Sequence, residues 1–275
     1  MKKHFFSYPQ SKSLKHLGSL LLIKENQYRL LGDVRVSPIG LGTVKFGRNT
    51  DVKYPKRFEI PDDIQLSTLL SHASELGINL IDTAPAYGNA EERLGELLQA
   101  QRNNWFIATK VGEYYKDGQS HYDFTQRAIT ESIENSLKNL KTDYLDLVSI
   151  HSNGDDESII DETDVIMTLQ TLKSAGKIGS IAMSTKTLIG GLKALEVVDV
   201  IMVELNEANQ SQIQVIEKAA SLGKGVLIKK ALSSGHAVKP AKAIKFAVDF
   251  PGVSSVILGT INPTHLRENI LALWP

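Results

Sequence analysis

The sequence predicts an α/β protein that folds as a (β/α)8 TIM barrel with an N-terminal β-hairpin. From residue 34 onward, eight short runs rich in β-branched apolar residues alternate with helical patterns. Several runs are almost continuously apolar, as is typical of parallel strands covered on both faces. The length of 275 residues suits one such barrel, which takes about 250 residues. A doubly wound open sheet is the alternative, but it usually has fewer strands and an early glycine-rich dinucleotide turn, neither of which we find here.

The eight strand-like runs and the helical patterns between them alternate along the whole chain. The predicted strands are 36–43, 79–84, 106–111, 144–152, 180–185, 200–206, 225–232 and 255–260. The predicted helices lie near 63–77, 90–101, 124–141, 162–177, 187–196, 210–222, 240–250 and 263–274. In the third helix, Ile129, Ile133, Leu137 and Leu140 recur every three or four residues, which places them on one helix face.

The N-terminal segment LLIKENQYRLL predicts a strand, a turn at Glu25-Asn26 and a second strand. Its apolar run, 20–23, is too short for a signal peptide and is followed at once by charged residues. We expect residues 1–15 to be disordered, as many chain ends are. Since no linker or low-complexity tract interrupts the pattern, we expect residues 1–275 to form a single domain.

The composition excludes several classes of function. Lys and Arg number 31, as do Asp and Glu, so the formal net charge is zero and no basic field favours nucleic acid. The absence of cysteine excludes disulfides, thiolate metal sites and thiol nucleophiles, and it fits a cytoplasmic protein. No run approaches the ~20 apolar residues that a membrane helix needs, so we expect no membrane partner. The sequence indicates no oligomeric state.

Four ionisable residues fall at the ends of neighbouring predicted strands. Asp82 lies near the end of the second strand, Tyr87 in the following loop, Lys110 at the end of the third strand and His151 at the end of the fourth. Active sites of such barrels lie at the C-terminal ends of the strands. A structural role would explain each residue alone, but their coincidence on one rim favours an active site.

These four side chains are suited to proton donation to a carbonyl oxygen. A tyrosine is a weak acid, with a pKa of about 10, and a nearby ammonium group such as that of Lys110 would lower it. Asp82 would hold Lys110 charged, and His151 would orient the carbonyl oxygen or share the proton. Serine hydrolysis lacks a GxSxG motif, and His151 alone is too little for a metal site, so we expect no metal. A Schiff base on Lys110 is the chemical alternative, although Asp82 would keep that amine protonated.

The segment after the eighth predicted strand carries a helix N-terminal signal. Asn262 is a favourable N-cap residue, and Pro263 suits the first helical position. A helix N-terminus at this place in a barrel is suited to binding phosphate. Capping alone and phosphate binding both explain the motif.

The sequence contains the motifs VSPIGLGT, NLIDTAPAYG followed by AEERLGELL, FIATKV, YLDLVSIHS and GTINPTHLREN. With these motifs it resembles the aldo-keto reductase superfamily over about residues 28–273. The most specific element is IDTAPAYG, which spaces Asp82 and Tyr87 five positions apart. The resemblance implies that Asp82, Tyr87, Lys110 and His151 form the catalytic tetrad with Tyr87 as general acid. It also implies a small-molecule aldehyde or ketone as substrate and NADPH as cofactor, with NADH as the alternative. A non-catalytic nicotinamide-binding regulatory barrel is the alternative function.

The resemblance also implies a set of cofactor-binding residues. They are Gly42, Thr43, Ser184, Thr185, Lys229, Gly259, Thr260, Asn262, His265, Glu268 and Asn269. Several positions depart from the family pattern. Ser184-Thr185 stands for a serine-asparagine pair that holds the carboxamide, Met202 replaces its glutamine partner, and Lys229 replaces an aromatic residue that stacks on the nicotinamide. Gly259 and His265 align with basic residues that often bind the 2′-phosphate. Two roles are open for Lys229, contact with a phosphate group or a solvated charge that points outward.

The polar segment 112–123 follows the third strand and contains Tyr114, Tyr115 and Tyr122. Two interpretations are open, a loop that lines the mouth of the substrate pocket and a mobile surface loop.

Overall fold

The computed structural model describes residues 22–273, and within them twelve strands are formed. In chain order they are β1 (Arg29–Leu31), β2 (Val34–Val36), β3 (Ile39–Gly42), β4 (Leu80–Asp82), β5 (Phe106–Val111), β6 (Glu113–Lys116), β7 (Gln119–Tyr122), β8 (Leu145–His151), β9 (Ile178–Ser184), β10 (Val200–Glu204), β11 (Gly225–Lys229) and β12 (Ser255–Leu258). Eight of them, β3, β4, β5, β8, β9, β10, β11 and β12, form a closed parallel barrel in this order. The predicted barrel with an N-terminal hairpin is confirmed.

The same residues contain ten α-helices. They are α1 (Val44–Gly47), α2 (Asp63–Glu75), α3 (Ala90–Leu98), α4 (Gln126–Asn139), α5 (Asp156–Glu162), α6 (Val165–Ser174), α7 (Leu188–Ala194), α8 (Ile213–Ser221), α9 (Pro240–Asp249) and α10 (Pro263–Leu271). All eight predicted helices are present, each somewhat shorter than predicted. The sequence patterns missed the short helices α1 and α5.

Alternation along the strands separates the inside of the barrel from its helix-covered outside. Six barrel strands contribute residues to one apolar cluster inside the barrel. Its residues on these strands are Leu80, Phe106, Ala108, Leu147, Ala182, Val200, Met202 and Leu227. Because side chains two positions apart share a face, Asp82 follows Leu80 and Lys110 follows Ala108 on this inner face. The polar rim is therefore the top layer of the barrel interior.

The N-terminal hairpin is present, but the prediction of its turn was wrong. Residues 25–27 form a short 3-10 helix, and the turn between β1 and β2 is at Gly32-Asp33. Gly32 has a φ of +62°, which glycine adopts without steric strain. Leu31 and Val36 of the hairpin join the apolar cluster inside the barrel.

The segment 112–123 is an antiparallel hairpin of β6 and β7, in which Glu113 pairs with Tyr122. Neither interpretation of the sequence foresaw these strands.

The disorder expected for residues 1–15 concerns a part of the chain outside the described residues. None of the helices between residues 22 and 273 is long and apolar enough to cross a membrane.

Candidate active site

The structure brings the four predicted catalytic residues together at the C-terminal ends of neighbouring strands. Asp82 and His151 are the last residues of β4 and β8, and Lys110 is the fifth residue of β5. Tyr87 ends a 3-10 turn that follows β4. Since β4, β5 and β8 are adjacent in the barrel, their register fixes these side chains relative to one another.

Lys110 is the central charge of the site. Its Nζ donates hydrogen bonds to Asp82 Oδ1 at 2.6 Å and to the Thr83 carbonyl oxygen at 2.8 Å. The same Nζ lies 4.9 Å from the centroid of the Tyr87 ring. Only 2% of the Lys110 side chain is exposed, so the ion pair with Asp82 is shielded from solvent.

Two glycines hold the turn that carries Tyr87 against the loop after β3. A Cβ on Gly47 would lie 2.4 Å from the Tyr87 carbonyl oxygen, and a Cβ on Gly88 would lie 2.1 Å from the Gly47 carbonyl oxygen. Only glycine permits this close approach of the two backbones, and Gly88 also has a φ of +65°. The buried Arg48 adds a hydrogen bond to the Ala86 carbonyl oxygen at 3.1 Å. These contacts fix the backbone of the turn that carries Tyr87.

The pKa of Tyr87 shifts in the direction opposite to the one expected from the sequence. Burial raises the pKa of Tyr87, the Lys110 ammonium group lowers it, and the Asp82 carboxylate raises it again, with a net increase above the ordinary value. The expected effect of Lys110 is present, but desolvation of the phenol outweighs it. Burial lowers the pKa of Lys110, yet Asp82 and Tyr87 raise it, and the net pKa is above its usual value. Tyr87 is therefore a phenol and Lys110 an ammonium group at neutral pH.

His151 has a carboxylate partner that the sequence did not reveal. Its Nδ1 lies 2.6 Å from Oε2 of Glu113, the first residue of β6. The imidazole is nearly perpendicular to the Tyr87 ring, with 6.4 Å between the ring centroids. Glu113 falls in the segment interpreted as a loop, so strand alternation gave no signal for it.

Lys229 points toward the inside of the barrel and not outward as a solvated charge. It is the last residue of β11, and its Nζ donates to Ser184 Oγ at 2.7 Å and to the Thr185 carbonyl oxygen at 2.8 Å. The inward direction follows from strand alternation, since Leu227 lies inside the barrel two positions earlier. Met202 also lies in the apolar cluster. A Cβ on Gly191 would lie 3.4 Å from Thr185 Oγ1, so the Thr185 side chain faces α7.

Gly42 and Gly259 lie side by side at the adjacent ends of β3 and β12 and together form a small surface of bare backbone, the glycine floor. A Cβ on Gly42 would lie 3.6 Å from the Gly259 Cα atom. Thr43 donates both its backbone N–H and its hydroxyl to the Asp82 carbonyl oxygen at 3.0 Å. Tyr54, which the sequence did not indicate, covers this floor, because a Cβ on Gly259 would lie 2.6 Å from its hydroxyl oxygen.

The remaining predicted residues lie just before α10 and along it. Asn262 caps this helix as predicted and accepts hydrogen bonds from the backbone N–H groups of Thr264 at 2.9 Å and His265 at 3.3 Å. The Thr260 hydroxyl accepts a hydrogen bond from the Asn262 N–H at 3.1 Å. His265 and Glu268 are exposed, while Asn269 is partly buried.

Comparison with known proteins identifies the family to which this site belongs. The family model described as the Aldo/keto reductase family matches residues 38–242, which include all four catalytic candidates. The chain belongs to the aldo/keto reductase family. This aldo/keto reductase is therefore an NAD(P)H-dependent oxidoreductase.

Two relatives illustrate the sequence similarity of this aldo/keto reductase. An uncharacterized oxidoreductase of Bacillus subtilis is 28% identical over 87% of this chain and 88% of its own length. The L-galactose dehydrogenase of Arabidopsis thaliana is 36% identical, but the match covers 55% of this chain and 46% of that protein.

Solved structures agree with the barrel of this aldo/keto reductase. A candidate aldo-keto reductase from Pseudomonas aeruginosa has a TM-score of 0.84 and 46% identity, over 92% of this chain and 95% of that chain. The holo form of an aldo-keto reductase from Bacillus halodurans has a TM-score of 0.77 and 22% identity, over 90% of this chain and 91% of that chain. At this identity, the second likeness supports the fold alone.

Proposed function

We propose that this aldo/keto reductase reduces the carbonyl group of a small aldehyde or ketone to the alcohol, with Tyr87 as the general acid. The observation that carries the proposal is the buried arrangement in which Asp82 holds Lys110 at 2.6 Å and Lys110 lies 4.9 Å from the Tyr87 ring centroid. A reduced nicotinamide supplies the hydride for the carbonyl carbon when it is bound. The carbonyl oxygen then needs a proton, which Tyr87 donates.

The environment of Tyr87 explains how it acts without being ionised beforehand. Burial keeps the phenol protonated at neutral pH, so the proton is available to the substrate. When the proton leaves, the Lys110 ammonium group stabilises the phenolate that forms. Asp82 keeps Lys110 charged throughout, and this pairing also argues against a Schiff base on Lys110.

The residues at the rim fit a nicotinamide cofactor. Tyr54, which covers Gly259 at the rim, would contact a group bound beside it. The adenosine end would be held near α10 by Thr260, Asn262, His265, Glu268 and Asn269. The nicotinamide end would be held by Thr43, Ser184, Thr185 and Lys229. We propose NADPH as the cofactor and the cytoplasm as the location of the protein.

A titration with NADPH and with NADH, followed by the fluorescence of the reduced nicotinamide, tests cofactor binding. We expect saturable binding of NADPH that is tighter than that of NADH. Equal or tighter binding of NADH would overturn the NADPH assignment, and no binding of either would overturn the reductase proposal.

The variant Tyr87→Phe tests the general acid. We expect it to bind cofactor as the native protein does and to reduce carbonyl substrates about 10²- to 10⁴-fold more slowly, the usual contribution of a positioned acid. Unchanged turnover would remove Tyr87 from this role. Cofactor binding without turnover of any carbonyl by the native protein would instead support the regulatory barrel.

A further inference from the structure

The carboxylate of Glu113 lies beside the active site and has no part in the mechanism above. Its Oε2 is 2.6 Å from His151 Nδ1, and its Oε1 accepts a hydrogen bond from Ser120 Oγ at 2.6 Å. Ser120 belongs to β7, so one carboxylate oxygen is held within the hairpin, while the other contacts His151 of the barrel strand β8. Only 9% of Glu113 is exposed. The carboxylate is therefore buried within 2.6 Å of one nitrogen of His151, although the pair does not form a well-aligned hydrogen bond.

The charge of Glu113 determines which nitrogen of His151 carries a proton. Burial would raise the pKa of Glu113, but contact with His151, the hydrogen bond from Ser120 and the charge of Arg48 lower it to about 2. Above that pH Glu113 is ionised, and a carboxylate can only accept hydrogen bonds. An unprotonated Nδ1 would face the carboxylate with its lone pair, so in a contact this short the proton belongs on His151 Nδ1.

This assignment leaves the other nitrogen of His151 with a lone pair whenever the ring is neutral. Charged groups reach His151 from several elements: Glu113 from β6, Lys110 from β5 and Lys229 from β11, with Tyr87 beside it. Burial and the two ammonium groups lower the pKa of His151, and Glu113 opposes them, with a net decrease. At neutral pH the ring is therefore mostly neutral, and Nε2 gains a proton only on acidification.

We propose that Glu113 is a positioning residue that locks His151 in the Nδ1–H tautomer. Nε2 then donates a hydrogen bond to a carbonyl oxygen only when the ring is an imidazolium ion, and it accepts hydrogen bonds when the ring is neutral. The consequence for turnover rests on the proposed function. In carbonyl reduction, the carbon gains a hydride from the reduced nicotinamide and the oxygen gains a proton. An Nε2–H group would stabilise that oxygen, so reduction should quicken as the pH falls. Oxidation of the alcohol should show the opposite trend, because neutral Nε2 can accept the hydroxyl hydrogen.

Side-chain ¹⁵N NMR of histidine tests the tautomer without any measurement of activity. The variant His151→Asn identifies the His151 signals by their loss. In the native protein we expect Nδ1 to stay protonated through the titration, while Nε2 changes state. A neutral His151 that carries its proton on Nε2 would overturn the proposal.

The variant Glu113→Gln removes the charge and keeps the shape of the side chain. We expect the neutral ring to populate both tautomers, because an amide can donate to Nδ1 or accept from it. Loss of the carboxylate should also reduce the imidazolium fraction about 10-fold or more at any pH above the titration. A spectrum like that of the native protein would overturn the proposal.

Two further variants keep the test independent of folding defects. Ser120→Ala removes the hydrogen bond to Oε1 and leaves the charge, so we expect the Nδ1–H tautomer to persist. Lys116→Gln changes an exposed residue of the same hairpin and should leave the His151 signals unchanged. If Lys116→Gln shifted them as much as Glu113→Gln does, the effect would belong to the hairpin and not to the carboxylate.

Kinetics links the tautomer to the reaction. In Glu113→Gln we expect the acid-favoured limb of the kcat profile for reduction to move to lower pH by the amount seen in the NMR titration, with cofactor Kd unchanged. If the limb stayed in place, the positioning role would fail even though Tyr87-dependent reduction remained. If the native protein showed no turnover, the proposed function would fail, while the NMR titration would still decide the tautomer.

Discussion

Replacement of Lys229 should change how the stability of this protein depends on pH. Lys229 has hydrogen bonds to Ser184 and Thr185, but among residues 22–273 it has no carboxylate within ion-pair distance. Burial, together with the charges of Lys230 and Lys186, lowers the pKa of Lys229 from 10.5 to about 7. The folded protein therefore binds a proton at this amine less readily than the unfolded chain does.

The sign of the effect follows from proton linkage. Between about pH 7 and pH 10.5 the unfolded chain keeps the proton on Lys229 while the folded protein releases it, so the free energy of unfolding rises with pH. At about 1.4 kcal/mol for each pH unit, the full shift corresponds to an upper bound of about 5 kcal/mol. Because part of the Lys229 side chain is exposed, solvent screening reduces the effect, and we expect about 2–3 kcal/mol.

The variant Lys229→Met has a side chain of similar length that does not titrate, and it should lose this pH dependence. Urea unfolding of both proteins at about pH 6 and about pH 9.5 measures the difference in free energy of unfolding between them. We expect that difference to shift by about 2–3 kcal/mol toward the native protein at the higher pH. Lys116→Met, at an exposed lysine, is the matched control and should show no such shift. A pH-independent difference for Lys229→Met would refute the reasoning.

Two substitutions test other parts of the structure. In Asp82→Asn, the buried Lys110 ammonium group loses its carboxylate partner. We expect the free energy of unfolding to fall by about 3–5 kcal/mol and reduction to become at least about 100-fold slower. Native-like stability measured in urea would contradict the ion pair. In Gly95→Ala, the new Cβ would lie 2.0 Å from the Asn139 backbone oxygen, where α3 packs on α4. The helices must separate, and we expect thermal unfolding to show a loss of about 1–3 kcal/mol or more; an unchanged Tm would show that the helices are not in close contact there.

The sequence patterns that proved reliable are those that depend on burial along the chain. Strands such as β5, in which all six residues are buried, appear as mostly apolar runs between turns and helices. These runs also place Asp82, Lys110 and His151 at the C-terminal ends of neighbouring strands, which is why these catalytic candidates could be located from the sequence.

Features that depend on contacts between distant segments were not predictable in the same way. The hairpin turn lies at Gly32-Asp33 and not at Glu25-Asn26, because Leu31 and Val36 must both reach the apolar cluster inside the barrel. Glu113 lies in a polar segment without apolar alternation, so nothing local indicated a strand or a partner for His151. Its position is set by pairing between β6 and β7, which involves only residues that a sequence pattern classes as loop.

The charges at the rim explain why this site combines catalytic groups with a stable barrel. A buried charge destabilises a fold unless it is paired, and most charges here have a partner. Lys110 pairs with Asp82, His151 contacts Glu113, and each of these partners comes from a different strand of the structure. The proposed carbonyl reduction depends on protonation states that the same pairs influence: a charged lysine beside a protonated tyrosine and, as proposed, a histidine held in one tautomer. Stability and proposed catalysis therefore depend on the same contacts, and a variant that breaks one of these pairs should impair both.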